Sequence, residues 1–234
     1  MEESAFFKQW LRGKYLMPDL DDFKTFQPDL DFLIWVAVNH KIPFHKILEH
    51  KILGLDEAWM RCREYYRNAI NLVVEYSPYM ALDHEEGLEI IDTLGDPPDV
   101  SHPLYIITVD DGTTEEIVYV GKSSSNHSRF KGGHTTAIKL LDPNYDGKLK
   151  WIYLCQVMLN ATNDEYLPLE FLGDKTLAED ILDDAESVLI DDYKPVLNTK
   201  KMDRLKVKRN FTIQIQKSFA DSTAIQDKFI FART

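Results

Sequence analysis

Leu104-Tyr105-Ile106-Ile107-Thr108-Val109, Asp110-Asp111-Gly112-Thr113 and Glu116-Ile117-Val118-Tyr119-Val120 together decide the reading of the fold. Two runs of β-branched and aromatic residues flank a turn built of Asp and Gly, the pattern of a β-hairpin. Gly121-Lys122 follows the second strand at once, and a polar stretch from Lys122 to Ser128 leads to a predicted helix over Ala137–Leu141. Pro143-Asn144-Tyr145-Asp146-Gly147 reads as a turn, and Lys150–Leu159 as a strong strand. Thr176-x-x-Glu179 has the form of a capping box opening a helix. Leu177, Ile181, Ala185, Val188 and Leu189 would form its buried stripe, and Lys194-Pro195 stops it. Residues 205–216 alternate and read as a further strand, or as a hairpin arm outside the main sheet.

Upstream of the hairpin the periodicity changes. Gly95-Asp96-Pro97-Pro98 and His102-Pro103 break the pattern and mark a predicted domain boundary. Before it the chain reads as helical: an apolar run from Asp31 to Val38 around Trp35, then 43–53, then 56–76 and 84–92. In the long segment Trp59, Cys62, Tyr66, Ile70 and Val73 recur at helical spacing, and Pro78 closes it. The expected class is α+β. A small antiparallel sheet flanked by helices spans 101–202, with an all-helical accessory domain over 1–100. A C-terminal strand extension over 203–234 packs on the middle domain.

The 234 residues suffice for one large core or two modest ones. No run of apolar residues is long enough for a membrane span, and Met1-Glu2-Glu3 lacks the basic start of a secretory signal. The expected compartment is the cytoplasm, and Cys62 and Cys155 read as buried thiols rather than a disulfide. A net charge of −12 argues against a protein held to nucleic acid by charge alone. One dense basic run stands out: Lys200, Lys201, Arg204, Lys206, Lys208 and Arg209, opposed only by Asp203. Such a run is either a solvated face or an edge that touches phosphates.

The chemistry-bearing residues suit phosphodiester hydrolysis. That reaction needs an aimed and deprotonated water, neutralised non-bridging oxygens and a stabilised leaving oxygen. Glu186 is a carboxylate able to hold a hard cation, Mg²⁺ or Mn²⁺. Arg129 offers a two-donor phosphate clamp and Lys122 a compact positive charge. Phenols beside cations lose their protons more readily, which suits Tyr119, or Tyr105, to the role of general base. His134 would orient water or touch a phosphate, and Asn198 would brace the hairpin against the helix end. Lys131, Lys139, Lys200, Lys201 and Arg204 are candidate nucleic-acid contacts. Gly121-Lys122-Ser123 mimics the end of a phosphate-binding P-loop, but Glu116 stands where that motif needs glycine. Ser123–Ser125 lacks the turn that a serine hydrolase requires.

Pro103-Leu104-Tyr105 and Tyr119-Val120-Gly121 resemble the paired motifs of the GIY-YIG nucleases. Arg129 follows ten residues after Tyr119, and Glu186 precedes Asn198 by twelve. Ala185-Glu186-Ser187-Val188-Leu189-Ile190 and Tyr193-Lys194-Pro195-Val196-Leu197-Asn198 are similar to the family's last motif. The resemblance covers about residues 103–200. Pro103 stands where the first motif has glycine, and the tyrosines lie 14 apart, a little more than is usual. The family implies a small sheet between helices, one divalent metal on Glu186 and tyrosine-assisted attack by water. It also implies a DNA substrate, in restriction or defence. Cutting both strands with one site per chain would take a homodimer or two sequential nicks, and the N-terminal helical domain would recognise a target, mediate dimerisation or bind a protein partner. The rival expectations are a catalytically silent or regulated binding module on the same fold, and an RNA-cutting nuclease.

Overall fold

A computed structural model describes residues 5–14, 32–50, 52–73, 81–123, 135–162, 165–198, 207–217 and 220–232. The protein is mixed α/β, built on one seven-stranded sheet in the order β3-β2-β4-β1-β6-β7, with β5 paired to β4. The strands are β1 (Phe32–Pro43), β2 (Leu104–Asp110), β3 (Glu115–Lys122), β4 (Leu149–Thr162), β5 (Glu165–Pro168), β6 (Phe211–Lys217) and β7 (Lys228–Ala232). The helices are α1 (Ala5–Leu11), α2 (Leu55–Leu72), α3 (His84–Leu94), α4 (Thr135–Lys139) and α5 (Lys175–Tyr193). A 3-10 turn covers Phe44–Glu49.

Two expectations are corrected here. The apolar run around Trp35 is not helical. It is β1, paired antiparallel with β4 on one side and parallel with β6 on the other. Phe32, Ile34, Val36 and Val38 are buried on one face, but the half-buried Leu33 and Trp35 and the buried Ala37 on the other face are apolar too, so the sequence shows no alternation of apolar and polar residues. The sheet is therefore mixed, not small and antiparallel, and the first hundred residues are not all helical. The strand over Phe211–Lys217 is likewise part of the main sheet through its pairing with β1.

The hairpin forms as its sequence dictates. Asp110 Oδ1 accepts from Gly112 N, and Asp111 Oδ1 from Thr113 N and Thr114 N, at 2.8–2.9 Å. These bonds satisfy the turn's amides locally. The cap of α5 lies two residues earlier than the Thr176 box suggests. Asp174 is the N-cap, accepting from Thr176 N at 2.8 Å. At the other end Lys194 takes a left-handed conformation, φ 47°, and Pro195 prevents further helix. Helix α3 carries a full capping box, with Asp83 and Glu86 each accepting the other's backbone N–H.

The two faces of the sheet bury two clusters. The larger holds Phe7 and Trp10 of α1, Cys62 and Tyr66 of α2, Ile90 of α3, Leu104, Ile106 and Val120, and the stripe Ile181, Ala185 and Leu189 of α5. The smaller, on the other face, holds Tyr105, Ile107, Val118, Ile152 and Leu154, with Ile47 and Leu140 above them. Both cysteines are buried and free, as the sequence suggests. Among the described residues no helix is long and apolar enough to cross a membrane.

Candidate active site

Of the residues singled out in the sequence, Tyr105, Tyr119, Lys122 and Asn198 lie at one end of β3. In the register, Tyr105 faces Gly121, and Ile107 faces Tyr119. Direct partners share a face, so both phenols lie on the smaller-cluster side. The pairing then jumps from Ile107–Tyr119 to Thr108–Ile117, leaving Val118 unopposed as a bulge. The two rings lie 6.0 Å apart, stacked at 28°.

Gly121 is what lets them meet. A Cβ built there would stand 2.5 Å from the Tyr105 hydroxyl oxygen and 2.6 Å from Tyr119 Cε1. No side chain fits, so the glycine serves ring packing, not turn geometry. Tyr105 is 1 % exposed, whereas Tyr119 is only partly covered.

Lys122 falls on the opposite face, opposite Leu104, and reaches α5. Its ammonium pairs with Asp183 at 2.5 Å. Asp183 and Glu186 are three residues apart on α5, hence neighbours on its surface. Glu186 is 7 % exposed, which rules out the solvated-face reading of this acid.

Asn198 joins the two sides across the strand's open edge. Its Oδ1 accepts from Val120 N at 2.8 Å, and its Nδ2 donates to Val120 O at 2.7 Å. One residue earlier, Leu197 N donates to Val118 O at 3.0 Å. The loop after α5 thus completes the hydrogen bonding of an edge strand that would otherwise present bare backbone. Lys139 Nζ donates to Leu197 O at 3.0 Å, fixing the end of α4 to the same loop. This makes Lys139 a brace rather than a free phosphate contact. Arg129, Lys131, His134, Lys200, Lys201 and Arg204 lie outside the described residues.

Sequence reasoning missed three groups here. Asp183 was one acid among many, and its i−3 spacing to Glu186 was the only signal. His102 packs on His40 with ring centroids 5.1 Å apart, just before β2. Burial and the neighbouring imidazole push its pKa down to about 4. At the far end of β3, Glu115 Oε1 accepts from Thr108 Oγ1 at 2.7 Å and Tyr153 OH at 2.5 Å. Its Oε2 accepts from Ser222 Oγ at 2.8 Å and Thr223 N at 3.0 Å. Burial pushes its pKa up, but these hydrogen bonds outweigh burial and hold it at about 2.

Among the described residues the donor set of the site offers oxygen, not sulfur or imidazole. Among the described residues no three His, Cys, Asp or Glu side chains cluster as a metal cage. A single buried carboxylate with water completing the shell suits Mg²⁺ or Mn²⁺ and does not suit a structural zinc. No protein-family profile, curated protein sequence or solved structure matches this chain.

Proposed function

We propose that the chain is a GIY-YIG-type endonuclease that hydrolyses phosphodiester bonds in DNA. The observation that carries this reading is the packing of both tyrosines against Gly121 on one face of the end of β3, with Lys122, on the other face, gripping Asp183 one turn before Glu186 and Asn198 tying the loop after α5 to the same strand. The antiparallel β3-β2-β4 part of the sheet, with α5 against it, supports the family reading of the fold.

Each residue then has a role. Tyr119, the more exposed of the two tyrosines, acts as the phenolate: having first given its proton to solvent, its oxygen takes the proton from water as the water oxygen attacks phosphorus. Tyr105 positions that ring through their stacking. Lys122, exchanging Asp183 for the substrate, balances charge on the phosphate oxygens, as Arg129 does from the neighbouring segment. The bond from phosphorus to the 3′ oxygen breaks, leaving a 5′ phosphate and a 3′ hydroxyl once water protonates the leaving oxygen. Glu186 would hold the divalent ion, which when bound supplies positive charge to the phosphate and leaving group. Asn198 keeps the strand end in register with the helix.

Purified protein with Mg²⁺ or Mn²⁺ should nick supercoiled plasmid. Glu186→Ala should abolish nicking while leaving the circular dichroism spectrum unchanged. Matched single and double strands of DNA and RNA distinguish the two substrates. If wild type and Glu186→Ala are equally inert with every metal and substrate form, the enzyme reading is wrong. Two observations favour the silent alternative: Lys122 is already paired with Asp183, and Tyr105 is buried. The same assay decides between them.

A further inference from the structure

On the phenol-bearing side of the sheet, the 3-10 turn Phe44–Glu49 and α4 rise as two walls of a groove enclosing about 670 Å³. The first strand turns of β4 form its floor. Leu48, Ile138, Leu141 and Leu149 line it and are 58 %, 65 %, 77 % and 57 % exposed. Soluble monomers scatter such side chains singly, and four around one groove mark a contact surface.

Charge narrows the occupant. Asp and Glu make up 39 of the 234 residues, yet among the described residues none lines this groove, while Lys148 and Lys150 do. Lys150 Nζ donates to Tyr145 O at 2.8 Å, which holds its ammonium beside the wall. Asp142, whose Oδ1 accepts from Asn144 N at 2.9 Å, and Glu49 at the end of the 3-10 turn stand near the walls but outside the lining. The groove is therefore apolar with a basic rim on a protein whose net charge is −12.

We propose that this groove docks an amphipathic helix of a partner protein whose polar face is acidic. Such a helix would insert apolar residues at i, i+3 or i+4, and i+7 between Leu48 and Leu141, with carboxylates toward Lys148 and Lys150. A second copy docked groove to groove by two-fold symmetry sets the lysines against each other, which disfavours it. A small ligand needs enclosure, whereas these side chains project outward. Because Lys139 ties α4 to the Leu197–Asn198 loop, the docked helix braces a wall joined to the candidate site. Binding is read without any activity, so this proposal stands or falls apart from the nuclease reading.

A phage-displayed library of single-helix peptides, selected against the 234-residue chain, tests it. Enriched sequences should carry the apolar spacing and a negative net charge. A synthesised winner, followed by fluorescence anisotropy, should lose about tenfold or more in affinity against Ile138→Asp with Leu141→Asp. Lys148→Glu with Lys150→Glu should transfer preference to the charge-inverted peptide. Ile138 and Leu141 are exposed, Lys148 and Lys150 are half-buried, and thermal melts check that the variants stay folded. Failure to enrich, winners that are neutral or basic, or binding indifferent to these substitutions each overturns the proposal. So does a wild-type dimer in light scattering that Ile138→Asp with Leu141→Asp dissolves, since the groove then belongs to a second copy.

Discussion

The two ends of β3 are built on opposite principles. At the Glu115 end one carboxylate receives four donors from β2, β4 and the loop before β7, and the strand is locked to the C-terminal segment. At the Gly121 end the strand is held through its backbone, by Asn198 and Leu197, and side chains are grouped round a residue that has none. The first end is a joint whose polar groups are consumed in holding the fold. The second is a scaffold, in which main-chain bonding leaves side chains to be positioned for another purpose. One strand can serve both because the bulge at Val118 lies between them.

Substitutions should separate the ends, and Gly121→Val should have the largest effect. Its side chain must displace both phenols, so urea denaturation should show a loss of about 3 kcal/mol, at the upper end for overpacked sites. A near-neutral result would mean that the tyrosines are not held against the strand. Asn198→Ala removes two hydrogen bonds from a buried peptide and should cost about 2 kcal/mol, read the same way. Asn198→Asp, which keeps only the acceptor, should fall between. At the other end, Glu115→Gln retains size but weakens four charge-assisted bonds and should cost about 1–2 kcal/mol. Plasmid nicking should persist, because the joint is remote from the phenols. The smallest effect belongs to Asp183→Asn. An ion pair this exposed is worth less than about 1 kcal/mol, yet if Lys122 contacts substrate the change should raise its availability and strengthen DNA binding in a filter assay.

Acid should also distinguish the ends. His102 is kept neutral in the fold, so as pH falls from 6.5 toward about 4 the unfolded chain takes up its proton first and stability drops. Glu115 has a depressed pKa, so its contribution is complete above pH 4.5 and is lost as pH falls toward about 2. Denaturation midpoints should show two separate declines, the first absent in His102→Gln and the second in Glu115→Gln. A single decline that neither substitution moves would break the distinction.

Much of the site's half of the molecule was legible because its signals are local. The hairpin has its Asp-Gly turn, β4 its apolar run, and α5 its stripe and Pro195 stop, and each needs only neighbours in sequence to be read. Even the role of Asn198 as a brace followed from its place just beyond the helix end. The other half was not legible, for a physical reason. β1 has neighbours on both sides, and Phe32–Val38 is apolar at every position, so its sequence carries no alternation although Ile34, Val36 and Val38 are buried more deeply than Leu33 and Trp35. Without alternation a short apolar run reads equally well as a buried helix. What makes it a strand is pairing with residues more than a hundred positions away, which no window detects. Glu115 was overlooked for the same reason, since its partners come from β2, β4 and the segment at 222–223. The cap of α5 was misplaced by two positions because Asp174 and Thr176 are both good capping residues, and geometry chooses between them.

The parallel pairing of β1 with β6 bears on how the chain is made. A ribosome delivers Phe32–Pro43 long before β4, and longer still before Phe211–Lys217 emerges. Throughout that interval a hydrophobic ribbon, apolar on both sides, waits without either neighbour. Synthesis thus imposes on this protein a long exposed stage that a hairpin-only sheet would escape, and a nascent chain stalled short of residue 211 keeps one flank of β1 open to capture by chaperones or by its own kind.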